Sequence, residues 1–284
     1  MPLLLLLGGA AYPATGRDVP YCQWLDRVDR PAWELQAGYV DQARVEAPDG
    51  HRYAVYEFSG GGGLFYGAAP GGSVDLSGAY ALHAFEGDGG LDLPNQTLDA
   101  HLDAAYAWRS WDGRSLRLRA QPGLYGEVDG LDGSAFQLPL EILGVQALSP
   151  QLSGQLGVAL YPGYQRSFDP RFGVRYALSD TWSVDLQYPE SRVLWREPAG
   201  REAYFLIRND PINEYSLESG DPRRALRWEE TRAVVGWVQP LGGAVRLRVE
   251  AGYVFNRSVD FARGSPPRAV EDAVMVGLGF GGAL

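Results

Sequence analysis

The chain of 284 residues contains no lysine: all 25 of its basic residues are arginine, set against 35 aspartates and glutamates for a formal charge of -10. Binding a polyphosphate backbone requires clustered cations, and no basic stripe is present, so nucleic acid is excluded as a partner. The missing lysine fits biased codon composition and carries no function. A single cysteine, Cys22, rules out an internal disulfide framework, and one Cys with three His is too small a ligand set for structural zinc. Neither a metal nor a cofactor is expected. Cys22 follows Pro20 and Tyr21, where lipidation would need small residues. No run approaches the roughly 20 apolar residues of a membrane-spanning helix. If this chain enters a membrane it does so as a closed barrel, because lipid tolerates only helices and edge-free sheets.

What the chain has in excess is glycine and aromatics: 37 Gly, 16 Tyr, 10 Phe and 8 Trp. These favour strands and turns. From Leu98 to Trp108 the sequence reads LDAHLDAAYAW, with Leu98, Ala100, Leu102, Ala104, Tyr106 and Trp108 alternating against Asp99, His101 and Asp103. A period of two is the mark of a two-faced strand, and about 11 such residues cross a bilayer when tilted. The pattern recurs. Val74, Leu76, Tyr80 and Leu82 oppose Asp75, Ser77 and His83; Leu116 and Leu118 oppose Arg117 and Arg119; Phe172, Val174 and Tyr176 oppose Arg171 and Arg175; Val245 to Phe255 oppose Arg246, Arg248 and Glu250.

Counting strands between turn signals predicts an all-β fold, a single antiparallel up-and-down transmembrane barrel of about fourteen strands, with twelve as the alternative. Fourteen requires a tight turn at Pro189 to Ser191, a return over 192 to 197, and an inner turn at PAGR, 198 to 201. Short connections at 110 to 114, 149 to 151, 179 to 181 and 239 to 243 interleave with longer ones at 85 to 95, 126 to 134, 162 to 169 and 257 to 271, as in barrels with short periplasmic turns. A turn centred near Asp112 sets Asp103 opposite Gln121 and diagonal to Arg119; a tight LGG turn sets Arg232 opposite Glu250. Trp33, Tyr39, Tyr106, Trp108, Trp111, Trp182, Tyr188, Trp228, Trp237, Tyr253 and Phe255 lie mostly toward strand ends, where interfacial girdles belong. A soluble β-sandwich would also alternate, and it stands as a rival.

The start, MPLLLLLGGAAYPATG, matches the second half of a secretory signal peptide without its cationic beginning. The expected organisation is a leader over 1–20, a polar segment over 21–32 and a barrel over 33–284.

The ending AVMVGLGFGGAL, with Val274, Val276, Leu278 and Phe280 in phase, resembles the closing strand of Gram-negative outer-membrane barrels, whose terminal aromatic is read by the barrel-assembly machinery. Here four residues follow Phe280. The segments VEAGYVFNRSVDF (249–261), LDAHLDAAYAW (98–108), LRAQPGLYGEV (118–128) and VDLQYPESRVLW (184–195) resemble an uncharacterised family of outer-membrane barrels from planctomycete-like bacteria. That resemblance implies architecture and compartment, and no catalytic residue.

Lipid-acting barrel enzymes need a serine beside a histidine. No G-x-S-x-G motif occurs, and none of His51, His83 and His101 lies in a serine-containing motif, so no enzyme is expected. Asp99, His101 and Asp103 share one strand face about 6–7 Å apart, too widely spaced for one strand to chelate a metal. The loops EGDGGLDLPN (86–95) and GEVDGLDGS (126–134) match no defined calcium spacing. The expectation is an outer-membrane barrel acting as a porin-like passive channel for small solutes, its lumen lined by Asp75, Asp99, His101, Asp103, Arg117, Arg119, Arg232, Arg246, Arg248 and Glu250. The alternative is a closed structural or partner-binding barrel. Expected partners are outer-membrane lipid, the assembly machinery and small solutes.

Overall fold

A computed structural model describes residues 33–45, 50–87, 93–110, 112–164, 167–217, 224–262 and 267–282. The leader and polar segment expected over 1–32, the girdle candidate Trp111 and part of the 86–95 loop lie outside these residues.

The strands are β1 Trp33–Arg44, β2 Arg52–Ala69, β3 Gly72–Gly87, β4 Gln96–Arg109, β5 Arg114–Ala120, β6 Gly123–Glu127, β7 Phe136–Gln137, β8 Leu140–Ala147, β9 Leu152–Leu160, β10 Phe168–Ala177, β11 Trp182–Tyr188, β12 Glu190–Arg196, β13 Glu202–Ser216, β14 Arg224–Gly242, β15 Val245–Ala262, β16 Arg268–Val270 and β17 Ala273–Gly282. Three pairs of segments are each one interrupted stave. β5 and β6 both pair with β4, β7 and β8 continue one another against β6 and β5, and β16 and β17 both pair with β15. The result is a closed antiparallel barrel of 14 staves. Closure comes from β1, which pairs with β2 on one side and β17 on the other, Trp33 facing Gly282.

Both ends of the barrel chain, at Trp33 and Gly282, meet at one rim, called here the terminal end. Short turns at 70–71, 110–113, 148–151, 178–181, 197–201 and 243–244 share that rim, while the connections at the opposite rim, the far end, are mostly longer. The expected double reversal over 182–201 is present as β11 and β12, turning at Pro189. The hairpin between β14 and β15 corrects one expectation. β14 runs through Pro240 and Leu241 to Gly242, which pairs with Val245, and the chain reverses at Gly243 and Ala244; the φ of 112° at Gly242 and 57° at Gly243 suit glycine. The register therefore places Arg232 opposite Val254 and Glu250 opposite Gly236, not Arg232 opposite Glu250.

Alternation sorts the side chains by face. Leu102, Leu118, Ile142, Leu156, Phe172, Leu186, Phe205, Val235, Val249, Val276, Leu278 and Phe280 are all exposed on the outer surface. Exposed Trp108, Trp182 and Trp237 lie near the terminal end of that surface, with Trp195 stacked on Trp237. Trp228 departs from the expected girdle: it is 3% exposed and packs inside the barrel. It belongs to an interior core with Val40, Tyr53, Val55, Leu206, Tyr215, Leu226, Val234, Val254 and Met275. That core fills mainly the far half beside β1, β2, β13, β14, β15 and β17. Inward positions on β2, β3 and β4 are small instead, including Ser59, Gly61, Ser77, Ala79, Ala105 and Ala107, and there the lumen is hollow.

Candidate functional site

The hollow is a chamber of about 990 Å³ whose lining includes Glu34, Asp75, Asp99, His101, Asp103, Arg109, Arg117, Arg119 and Arg248. Strand phase puts them there: Asp99, His101 and Asp103 alternate with outward Ala100, Leu102 and Ala104 on β4. His101 Nδ1 lies 2.6 Å from Asp99 Oδ1, and Gln121 Nε2 lies 3.2 Å from His101 Nε2. An amide nitrogen only donates, so Nε2 accepts and Nδ1 carries the proton given to Asp99. The ring stacks on Tyr125 at 6.0 Å, nearly parallel. Among the described residues the imidazole's hydrogen-bond partners are Asp99 and Gln121, neither of them a serine.

Asp103, 4% exposed, takes both arms of Arg119, with Nε to Oδ1 at 2.7 Å and Nη2 to Oδ2. Bidentate guanidinium pairs are the strong form of such contacts. The β4–β5 register, Ala104 to Ala120 and Ala105 to Arg119, is the one the Asp112 turn predicts. Arg248 pairs with Glu34 at 2.5 Å, and Glu250 accepts from Gln36 Nε2 at 2.8 Å and from the Tyr204 hydroxyl. Arg246 stands at the terminal rim, 3.9 Å from Glu202. Arg232 takes Glu57 with Nη1 at 2.7 Å and Glu230 with Nε at 2.5 Å.

Two smaller cavities adjoin the chamber. One of about 400 Å³ is lined by Glu57, His83, Arg192, Tyr204, Arg232, Arg248 and Glu250 among others. The second, about 360 Å³, is lined by Arg109, Arg117, Glu141, Gln155, Arg171, Arg175 and Glu190 among others. Of the residues expected from sequence, Asp75, Asp99, His101, Asp103, Arg117, Arg119 and Arg248 share the large chamber, Arg232 and Glu250 line the 400 Å³ cavity, and Arg246 lines none of the three. Glu141, Arg171 and Arg175 were missed as lining residues although the same alternation marks them. Glu57 and Glu230, the partners of Arg232, left no sequence signal, Glu57 being 175 residues away.

At the far end the lumen is bridged. The tip of β13 reaches across to β6, where Ser216 pairs in parallel with Gly126, and Ser216 Oγ lies 3.0 Å from Ser134 Oγ. Tyr215 OH lies 3.5 Å from His83 Nδ1, and the Trp228 ring packs at 5.8 Å on His83 and 5.3 Å on Phe85. The interruptions that tilt this hairpin inward are register shifts between Asp210 and Asn213 in β13 and between Glu229 and Thr231 in β14. Asp132, in the loop that holds Ser134, accepts from the Ser134 hydroxyl at 2.5 Å and its N–H at 2.7 Å. Those donors hold its carboxyl below the ordinary carboxylate range.

No group of three His, Cys, Asp or Glu side chains suited to a metal occurs among the described residues. No family model and no curated protein sequence matches the chain, and the expected resemblance to planctomycete barrels is not shown by these comparisons. Similar solved structures include an outer membrane channel from Pseudomonas putida F1, 11% identical over 88% of this chain and 95% of that chain with a TM-score of 0.40. The beta domain of the Bordetella autotransporter BrkA is 11% identical over 90% and 100% with a TM-score of 0.36. A triple mutant of the Rhodopseudomonas blastica porin is 10% identical over 87% and 99% with a TM-score of 0.29.

Proposed function

We propose that this chain is an outer-membrane β-barrel of the channel type, a polar chamber reached from the terminal end and held shut at the far end. The observation that carries this reading is the division of one edgeless sheet into an apolar outer face and a charged interior bridged across one mouth. An exterior with so many exposed Leu, Val, Phe and Trp is what lipid requires and water does not. Short turns and both barrel termini at one rim support reading that rim as the periplasmic one. The closing strand presents Val274, Val276, Leu278 and Phe280 outward and offers the assembly machinery its terminal aromatic. The chamber's ion pairs are its lining, and solutes pass only when the β13 tip leaves β6. This favours the closed barrel over a continuously open porin.

The test is refolding into detergent and vesicles, with gel mobility compared before and after boiling, followed by recording in planar bilayers. The expected result is a heat-modifiable band and rare, brief conductance steps. Solubility without detergent would overturn the membrane reading, and steady conductance from wild type would overturn the shut mouth.

A further inference from the structure

We propose that the β4, β5 and β10 wall of the lumen binds a small oxyanion, one carrying phosphate or carboxylate oxygens, at the junction of the 990 Å³ and 360 Å³ cavities. This rests on reading the lumen as a solute chamber. Arg109 and Arg117 line both cavities and mark the junction. Arg109 faces Ser115 and Arg117 faces Ala107, so the two arginines are diagonal neighbours with about 7–8 Å between their backbone positions. Both arginines make other contacts in the barrel, and with five N–H donors on each guanidinium they can share one anion across that span.

Arg171 and Arg175 enter the same 360 Å³ space from β10. Their guanidinium groups are already fixed: Arg175 by both oxygens of Asp185 at 2.8 and 2.9 Å, Arg171 by Asp169 at 2.6 Å and Glu141 at 3.2 Å. Asp169 and Asp185 are not part of the cavity lining, so they hold these arginines from outside it. The lining itself sets four arginines against the carboxylates of Glu141 and Glu190. Asp185 occupies two N–H groups of Arg175, which leaves further donors on a fork already oriented. A preorganised, planar donor fork matches carboxylate and phosphate geometry. The cavity falls within the roughly 300–1,000 Å³ of small-molecule sites, and the low-dielectric wall focuses the field of the arginines.

Titration calorimetry on the refolded full-length barrel, at constant ionic strength set with chloride, tests this with inorganic phosphate and with succinate as probes. Saturable binding of either is expected, and which one binds tells phosphate from carboxylate chemistry. Arg109→Gln and Arg117→Gln should each weaken it tenfold or more, and Arg117→Lys, which keeps charge but loses the fork, should weaken it too. Arg201→Gln, in the turn at the terminal rim, should bind as wild type. Heat from neither probe, or Arg109 and Arg117 variants that bind as wild type, overturns the site. Either result in a barrel that still inserts and shifts on boiling leaves the membrane reading standing, whereas a chain that does not insert overturns that reading first.

Discussion

Gly126→Val tests the far-end bridge most directly. A Cβ placed on Gly126 lies 3.0 Å from the Ser216 carbonyl oxygen, 3.1 Å from Ala135 Cβ and 3.4 Å from Leu131 Cδ2. Two of these three neighbours cannot swing aside, one being backbone and the other the β-carbon of buried Ala135. Valine adds two more methyls into that space, and overpacking of this kind costs about 1–3 kcal/mol. The contacts opposing separation are the Ser216–Gly126 pairing and the Ser134–Ser216 hydrogen bond. At about 0.5–1.5 kcal/mol each, they are of the same size as the strain. One tenfold change corresponds to about 1.4 kcal/mol, so the opening frequency should rise by roughly 10- to 100-fold. Trp228 still packs on His83 and Phe85, which limits the excursion to the tip and keeps openings brief. Planar-bilayer recording of wild type, Gly126→Ala and Gly126→Val should give a graded series. Equal conductance from all three, with heat-modifiable mobility intact, would refute the idea that this bridge closes the lumen.

Leu156→Arg, at a site 72% exposed midway along β9, should cost about 2–4 kcal/mol in vesicle refolding by urea titration; a change within about 0.5 kcal/mol would mean that water, not lipid, faces this site. Arg232→Met should destabilise the barrel by about 3–5 kcal/mol, because Glu57 and the 1% exposed Glu230 would lose their shared cation; Glu57→Gln added to it should recover part of the loss in the same titration. Asp132 has its carboxyl held low, so its contribution is present above the unfolded value of about 3.9 and disappears as pH falls through the folded one. Opening frequency should therefore be flat from pH 7 to about 5 and rise only below about 4, and Asp132→Asn should abolish that rise.

The staves were legible because each carries its own two-residue period. Asp99, His101 and Asp103 alternate with Ala100 and Leu102 whatever their neighbours are, so facing could be assigned locally. Turn chemistry extended this to register where the turn was unambiguous: Asp103 meets Arg119 as the Asp112 turn requires. It failed at the LGG turn, where two glycines offer alternative reversal points and the chain turns at Gly243 and Ala244. Trp228 shows a different limit. Its position near a strand end suits a girdle, yet it lies in phase with Glu230, Arg232 and Val234, which all point inward, and its indole N–H is given to Glu230 at 2.8 Å. The alternation that assigns Arg232 to the lumen assigns Trp228 there too, and nearness to a strand end does not decide the face.

The bridge across the far end follows from unequal strand lengths. β11 and β12 have 7 residues each, while β13 has 15 and β14 has 19. β12 accompanies β13 only as far as the Glu190–Arg208 pair, with one further contact from the Asn209 N–H to the Pro189 carbonyl. Beyond that the β13 edge that β12 would cover has no neighbouring stave in the cylinder among the described residues. An open strand edge leaves backbone groups seeking partners, and the tip's Tyr215 and Trp228 are too apolar to stand in water at no cost. Leaning across the lumen answers both demands: the edge meets β6 at Gly126, where a Cβ would lie 3.0 Å from the Ser216 carbonyl oxygen, and the aromatics reach His83 and Phe85. Lengthening the β11–β12 hairpin to cover that edge should therefore compete with the bridge, raising conductance while leaving Gly126 and every lumen charge unchanged. A lengthened hairpin that leaves the lumen as quiet as wild type would show that the aromatic packing alone holds the tip.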